Sequence, residues 1–169
     1  SQSSAASDVY KRQSLNCPGL RAGVRFPDGR IIREAVGLAD VEANLPLDND
    51  IGMPGGSTGK TFVAALTMLL VEDGTLSLDD PASKWLSETP WFHRLPNAEH
   101  IRVRHLLSHS SGIGDYPGTV RFQAMMVWRA MRQGSAKFTP EELIRLVVDK
   151  KPKFPAGEGY HYTDAGYLV

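Results

Sequence analysis

The sequence contains a single cysteine, no excess of either charge and no long apolar segment. Cys17 alone cannot form an internal disulfide. The 19 Lys and Arg residues balance the 19 Asp and Glu residues, so nothing indicates nucleic acid or an acidic surface as a partner. The longest apolar run, residues 62–71, is too short to span a bilayer. With 169 residues, 41% of them hydrophobic, the chain suits one domain with a core of its own.

Histidine is also scarce, and its arrangement does not indicate a metal site. His105 and His109 are four residues apart, but the glutamate of a zinc-binding H-E-x-x-H motif does not lie between them. This arrangement weighs against a zinc site, and nothing else in the sequence implies a metal or an organic cofactor.

The N-terminal residues are unlike the rest of the chain. Residues 1–7 are of low complexity, and residues 8–13 match a translated adapter used in DNA library preparation. We interpret residues 1–13 as a non-native tail, with an ordinary flexible tail as the alternative. Both interpretations exclude these residues from the fold.

Strand signals come first along the chain. Residues 19–26 and 30–37 are rich in strand-forming residues and flank the turn signal Pro27-Asp28-Gly29, which predicts a hairpin. Residues 38–54 are polar and rich in turn formers, and they predict a loop.

Helical signals follow. Apolar residues repeat at helical spacing after Ser57, and Gly74 is predicted to end that helix. Further helices are expected just after Asp80-Pro81 and over residues 101–109 and 120–133. A capping box at residues 139–142 predicts a last helix that runs to Val148. We expect the apolar residues of the two long helices to be core: Phe62, Ala65, Leu66, Leu69, Leu70, Met125, Met126, Trp128 and Met131.

Ser57 and Lys60 are the first candidates for chemistry. They stand three residues apart at the start of a helical pattern, and side chains at positions i and i+3 of a helix share a face. A serine hydroxyl becomes a good nucleophile when a base removes its proton. A lysine can be that base when burial or the positive end of a helix lowers its pKa. The pair indicates acyl-transfer chemistry.

Two other interpretations stay open on this motif alone. Ser-x-x-Lys occurs often by chance, and Ser57 can simply open a helix. Residues 54–61, Pro-Gly-Gly-Ser-Thr-Gly-Lys-Thr, are also similar to a phosphate-binding loop. Against that loop, Pro54 replaces its first glycine, and residues 48–53 are too polar for the buried strand that such a loop follows.

Five separate segments together resemble one family, the serine β-lactamase-related family of class C β-lactamases, D-alanyl-D-alanine carboxypeptidases and esterases. The segments are residues 56–62 (Gly-Ser-Thr-Gly-Lys-Thr-Phe), 72–81, 105–113 (His-Leu-Leu-Ser-His-Ser-Ser-Gly-Ile), 154–157 (Phe-Pro-Ala-Gly) and 162–167 (Tyr-Thr-Asp-Ala-Gly-Tyr). The resemblance covers nearly everything after residue 17. It is far more specific than Ser-x-x-Lys alone.

The resemblance implies a fold and a mechanism. The fold is α+β and β-lactamase/transpeptidase-like, here with two N-terminal strands plus the helical region and with the C-terminal strands missing. Ser57 would attack an amide or ester carbonyl and become acylated, with Lys60 beside it and Tyr162 as the matching second-motif residue. Tyr160 is the alternative for that position, but the spacing from Gly157 favours Tyr162. Whether Lys60 or Tyr162 is the general base stays open.

The resemblance gives His105 and His109 no catalytic role, and we expect their segment to shape a loop under the site. Asp164 is a candidate substrate-binding residue, because it stands where the family most often has asparagine. An asparagine can donate to a substrate amide, whereas an ionised aspartate can only accept. This departure weighs against typical β-lactam or peptide binding and leaves ester-like substrates open.

The family's third motif, Lys or His followed by Thr or Ser and Gly, is not found after Tyr162. Its strand also supplies one oxyanion-hole amide, the other being the N–H of Ser57, and the loss of one such donor costs about a hundred- to a thousandfold in rate. We therefore expect this chain to be inactive alone.

These inferences divide the chain into three segments: a tail at residues 1–13, the N-terminal hairpin part of the α/β domain at 14–56, and the nucleophile helix with the helical region at 57–169, truncated before the third motif. The expected partner is a small-molecule or peptidoglycan-peptide substrate, with no nucleic acid and no transmembrane segment. The resemblance favours a periplasmic or secreted location. The alternatives are a non-catalytic penicillin-binding or sensor-like relative and, more remotely, a phosphate-loop nucleotide-binding protein.

Overall fold

The structure is a computed structural model that describes residues 17–134 and 136–169, so the predicted tail at residues 1–13 lies outside the described residues. The described residues form two compact units that divide between Gly55 and Gly56.

The first unit is an antiparallel sheet with the strand order β1-β2-β3. Strand β1 (Gly19–Arg25) pairs along its whole length with β2 (Ile31–Asp40). The turn between them is closed by the N–H of Phe26, which donates to the carbonyl oxygen of Arg30 over 2.8 Å. Gly29 has a φ of 86° in this turn, a left-handed conformation that favours glycine. The predicted hairpin is confirmed.

A short third strand, β3 (Leu45–Pro46), lies where we predicted only a loop. It pairs antiparallel with the end of β2, and the register shifts between Leu38 and Asp40. Pro46 has no N–H to give to a sheet, which suits a strand at the edge. A strand of two residues is too short to show an alternating pattern, so the sequence did not reveal it.

The second unit is largely helical. The described residues contain the helices α1 (Gly59–Glu72), α2 (Ser83–Leu86), α3 (Val103–Leu107), α4 (Val120–Gln133) and α5 (Pro140–Ile144). Turns of 3-10 helix lie at Gly56–Thr58, Phe92–Arg94, Ala98–His100 and Ala165–Tyr167.

The helix boundaries follow the predicted signals, with two differences. The helix predicted over residues 101–109 is shorter, and α3 spans only Val103–Leu107. Gly74 has a φ of 77° just beyond α1. The predicted capping box opens α5: the Thr139 hydroxyl accepts from the N–H of Glu142, and the Glu142 carboxylate accepts from the N–H of Thr139. Helix α5 ends at Ile144 and not at Val148, because the chain continues in tighter turns, in which the N–H groups of Leu146 and Val147 bond to carbonyl oxygens three residues back.

The core of the second unit is made by loops and short helices. Its most deeply buried large side chains are at most 2% exposed: Phe92, Ile101, Ile113, Ile144 and Val147. All five of these residues lie outside the two long helices.

The long helices correct our core prediction. Phe62, Leu66 and Leu69 of α1 are 60–75% exposed, and Met131 of α4 is 82% exposed. Helical spacing shows that one face is apolar, but it does not show whether another element covers that face. The residues predicted to be core but found exposed are Phe62, Ala65, Leu66, Leu69, Met126, Trp128 and Met131.

Within the described part of the chain, no helix has both the length and the apolar content needed to cross a membrane.

Candidate active site

Ser57 and Lys60 lie together at the N-terminal end of α1. Ser57 is in the 3-10 turn Gly56–Thr58, and Lys60 is the second residue of the helix. The Nζ of Lys60 donates a hydrogen bond of 3.2 Å to the Oγ of Ser57. Gly56 has a φ of 51°, which places the serine at a sharp turn into the helix. The predicted contact between hydroxyl and amine is confirmed.

The segment before Ser57 does not support the phosphate-loop interpretation. A phosphate loop joins a buried strand directly to a helix. Residues 47–55 form no strand here, and β3 ends ten residues before the 3-10 turn.

Tyr162 reaches the same hydroxyl from 105 residues further along the chain. Its phenolic Oη donates a hydrogen bond of 2.7 Å to the Oγ of Ser57. Tyr160, the alternative candidate, is 71% exposed and places its ring edge-on to His109. The structure therefore brings Tyr162, and not Tyr160, to the serine.

Asp164 is a second partner of the Lys60 amine. Its Oδ1 forms a short ion pair with the Lys60 Nζ. The side chain of Lys60 is only 16% exposed and that of Asp164 is 35% exposed, so the pair is partly withdrawn from water. The amine of Lys60 thus donates to the Ser57 hydroxyl and the Asp164 carboxylate, and it also lies 5.0 Å from the centre of the Tyr162 ring.

The pKa values of the Lys60 amine and the Tyr162 phenol are shifted in opposite directions. Burial acts to lower the pKa of Lys60, but the hydrogen bonds and charges of Asp164 and Tyr162 outweigh it, and the pKa of Lys60 is raised. The hydrogen bond with Lys60, and after it the one with Ser57, lower the pKa of Tyr162 below its ordinary value. The amine therefore holds its proton more firmly than in water, and the phenol holds its proton less firmly.

Asp115 anchors the segment that carries Tyr162 and Asp164. Its Oδ1 accepts hydrogen bonds from the backbone N–H groups of Asp164 (3.1 Å) and Ala165 (3.3 Å) and from the hydroxyl of Thr163 (3.4 Å). Hydrogen bonds from backbone N–H groups to an ionised carboxylate are among the stronger ones in proteins. One carboxylate oxygen thus fixes three consecutive residues next to Tyr162.

Sequence reasoning missed Asp115, although one signal was available. Asp115 is half-buried and lies between Ile113 and Tyr116, both of which are buried. A carboxylate in such a position needs hydrogen-bond donors from elsewhere in the fold. The pattern could have shown that Asp115 is an anchor, but not which segment it holds.

The segment after α3 packs on the segment that leads to Tyr162. The side-chain amide of Asn97 donates to the carbonyl oxygens of Ser111 and Phe154, each over 2.9 Å. Gly112 has a φ of 76°, and a Cβ there would collide with the Phe154 carbonyl and the Asn97 amide. Residues 108–113 thus form a loop that packs against the segment before Tyr162, whereas His105 belongs to α3.

Neither a metal cluster nor an enclosed cavity marks this site. Over residues 17–134 and 136–169, no group of three or more His, Cys, Asp and Glu side chains could hold a metal ion. A cavity of about 350 Å³ lies elsewhere in the second unit, between α1, α2 and α3, and Ser57, Lys60 and Tyr162 do not line it. Ser57 and Tyr162 are instead open to solvent, and Tyr162 is 43% exposed.

Known proteins are similar to this chain in sequence and in fold. The sequence model of the Beta-lactamase family matches residues 10–169. Penicillin-binding protein 4* of Bacillus subtilis is 25% identical over 142 residues, which cover 82% of this chain and 28% of that protein. Esterase EstB of Burkholderia gladioli is 38% identical over 86 residues, which cover 50% of this chain and 21% of the esterase.

A solved structure extends the comparison to the fold. The D-amino acid amidase of Ochrobactrum anthropi, in complex with L-phenylalanine, superposes with a TM-score of 0.71 at 26% identity, over 96% of this chain and 41% of the amidase. The predicted α+β, β-lactamase/transpeptidase-like fold is confirmed. The chain spans less than half the length of these three proteins. The chain belongs to the serine β-lactamase-related family of hydrolases, because the family's sequence model and fold match it and because Ser57, Lys60 and Tyr162 meet in one place.

Proposed function

We propose that this chain carries the nucleophile of a serine hydrolase that cleaves amide or ester bonds through an acyl-enzyme on Ser57. The observation that carries the proposal is the convergence of Tyr162 Oη, at 2.7 Å, and Lys60 Nζ, at 3.2 Å, on Ser57 Oγ. A hydroxyl that meets both a phenol and an ammonium has a source of positive charge within hydrogen-bond reach and, once the phenol is ionised, a proton acceptor.

In the proposed acylation step, Ser57 Oγ attacks the substrate carbonyl carbon while its proton passes to Tyr162 as phenolate. Lys60 remains an ammonium and stabilises that phenolate. The opposed pKa shifts of the two groups support this division of roles, because a raised pKa makes Lys60 a poor base and a lowered pKa makes Tyr162 a better one. The Tyr162 proton then passes to the leaving group, and a water molecule hydrolyses the ester on Ser57.

Asp164 bears on the choice of substrate. Its carboxylate accepts hydrogen bonds but cannot donate to a substrate carbonyl, and one of its oxygens is already paired with Lys60. We infer that the site prefers substrates that need no amide donor from this position. Small esters, or amides with a donor group facing Asp164, meet that requirement better than typical β-lactams.

The proposal is tested by labelling the serine. The 169-residue chain, and the same chain extended by the C-terminal part of the esterase, would be treated with an activated phosphonate ester and a fluorescent penicillin, and the adduct mapped by mass spectrometry. We expect the adduct on Ser57 and none in Ser57→Ala. Thr58→Ala is the matched control, because it removes a neighbouring hydroxyl that makes no cap hydrogen bond. Labelling that persists in Ser57→Ala would overturn the assignment.

Turnover separates a hydrolase from a sensor. We expect hydrolysis of nitrophenyl esters by the extended chain and negligible hydrolysis by the 169 residues alone, since the third motif is not found after Tyr162. Stable acylation without hydrolysis in the extended chain would instead identify a sensor-like or penicillin-binding protein.

A further inference from the structure

His109 lies inside a ring of tyrosines next to the proposed catalytic groups. Its imidazole centroid is 4.4 Å from that of Tyr162, with the two planes tilted by 35°, and 5.2 Å from that of Tyr167. Tyr160 closes the third side edge-on at 6.0 Å. The imidazole is thus the surface on which the Tyr162 ring rests.

Two hydrogen bonds tie the same residue to the Tyr162 segment. The N–H of Thr163 donates to Nδ1 of His109 over 3.3 Å, and the N–H of His161 donates to the carbonyl oxygen of His109 over 2.9 Å. These bonds reach the residues immediately before and after Tyr162. A ring nitrogen that accepts a hydrogen bond carries no proton, so the imidazole is neutral with its proton on Nε2.

The backbone at His109 is unusual for a residue that serves only as packing. Its φ is 56°, in the left-handed region that most side chains avoid. This conformation turns the chain directly after α3, and it keeps the imidazole against Tyr162. Backbone of this kind is held in place by the surrounding structure and concentrates near functional sites.

We propose that His109, in its neutral form, is a positioning residue that holds Tyr162 against Ser57. The proposal rests on the proposed function. It predicts that a proton on Nδ1 would remove the acceptor for the N–H of Thr163. Two N–H donors would then face each other and repel, and the Tyr162 segment would be released.

The charges around His109 determine when that proton binds. Lys60 faces it from α1, Asp164 from the Tyr162 segment and Asp115 from the loop before α4. Three phenols also face it, those of Tyr160, Tyr162 and Tyr167. Burial lowers the pKa of His109, and the charge of Lys60 lowers it further, whereas Asp164 and Asp115 act in the opposite sense. The net shift is downward, so His109 stays neutral at neutral pH and binds its proton only in more acidic solution.

The experiment uses two variants that separate the acceptor from the ring. His109→Asn keeps a side-chain acceptor and a residue that tolerates positive φ. His109→Phe keeps an aromatic ring and loses the acceptor. His93→Asn is the matched control, because His93 is 59% exposed and, over the residues that the structure describes, its ring bonds to Glu99 and the Ser87 carbonyl.

The first measurement is the rate of phosphonate labelling of Ser57 between pH 5 and pH 8. In the unmodified chain and in His93→Asn, we expect the rate to fall at acidic pH. In His109→Asn, one protonation step should vanish from this profile. In His109→Phe, we expect the rate to fall about ten- to a hundredfold at every pH, as a small misplacement of a reacting group does. An unchanged rate and profile in both variants would overturn the proposal.

The second measurement does not depend on activity. Nitrogen-15 NMR of the histidine side chains in the unmodified chain should show His109 as the Nε2–H tautomer with a pKa below about 6.5. An Nδ1–H tautomer, or a pKa above that value, would overturn the proposal even if labelling is normal. If the phosphonate labels Ser57 neither in the unmodified chain nor in any variant, the proposed function fails. The tautomer seen by NMR then tests the His109 proposal by itself.

Discussion

The Oη of Tyr162 lies 2.7 Å from the Oγ of Ser57, although 105 positions separate the two residues in the chain. Neither residue is deeply buried, so their contact depends on how each backbone segment is held and not on general packing. The 3-10 turn before α1 holds the serine, while Asp115 and His109 hold the segment around the tyrosine.

Replacing the phenol tests whether this contact is functional. In Tyr162→Phe we expect phosphonate labelling of Ser57 to fall by about 10²- to 10⁴-fold, the usual worth of a general base. Tyr160→Phe should leave the rate within about twofold of the original, because Tyr160 does not meet the serine. A small loss in Tyr162→Phe would transfer the base role to Lys60.

Replacing the carboxylate tests the substrate proposal. Asp164→Asn removes the ion pair with Lys60 and supplies an amide donor, so we expect kcat/KM for a β-lactam to rise relative to that for a simple ester in the extended chain. Asp149→Asn, which breaks an exposed pair with Arg94, is the control. An unchanged ratio in Asp164→Asn would mean that this position does not determine selectivity.

The surroundings of His105 predict that the free energy of unfolding depends on pH. Its Nδ1 accepts from the N–H of Arg102 at the start of α3, and burial lowers its pKa. Since the unfolded chain then binds a proton more readily than the folded one, the free energy of unfolding should fall as pH drops below about 6.5. Urea titrations between pH 5 and 7 measure this slope. His105→Gln, which retains an acceptor, should reduce this slope and leave the part that His109 contributes, because the pKa of His109 is lowered as well. A flat profile in the original chain would contradict the assignment.

Two phenylalanines test the difference between buried and exposed apolar residues. Phe92 is 0% exposed and Phe62 is 75% exposed. We expect Phe92→Ala to lower the free energy of unfolding by about 3–5 kcal/mol. Phe62→Ala should change it by no more than about 0.5 kcal/mol. Urea unfolding followed by circular dichroism gives both values, and equal losses would mean that the exposed face of α1 is covered in solution.

Gly112 tests the packing of the loop next to the site. Gly112→Ala combines a positive φ with a collision against the Phe154 carbonyl, and we expect a loss of about 2–5 kcal/mol. Gly118→Ala is the control, because a Cβ there meets nothing within 4 Å. If both variants unfold at the same urea concentration, the loop is more adaptable than the structure indicates.

Local patterns predicted local structure well. The hairpin followed from Pro27-Asp28-Gly29, the start of α5 from its capping box, and the Ser57–Lys60 contact from a spacing of three residues. Each depends on residues that are close in the chain, which is the range over which turn chemistry and helical periodicity act.

Long-range contacts were beyond such patterns. Tyr162 was identified only through the resemblance to a family, and Asp115 was missed. The residues near each of them in the sequence do not indicate which distant residue it contacts. The exposed faces of α1 and α4 were mispredicted for a related reason. Helical periodicity shows that one face of a helix is apolar, but whether that face is buried depends on elements that are distant in the chain.

The distance along the chain between Ser57 and Tyr162 makes the site an indicator of folding. Closing a loop of more than one hundred residues has an entropic cost that local structure does not offset, so a partly folded chain with α1 already formed still lacks the phenol. Reaction of Ser57 with a phosphonate should therefore vanish in urea together with the buried core around Phe92 and Ile144, and not with the melting of its own helix. A covalent reagent for the serine would thereby report the folded population of the whole second unit, molecule by molecule.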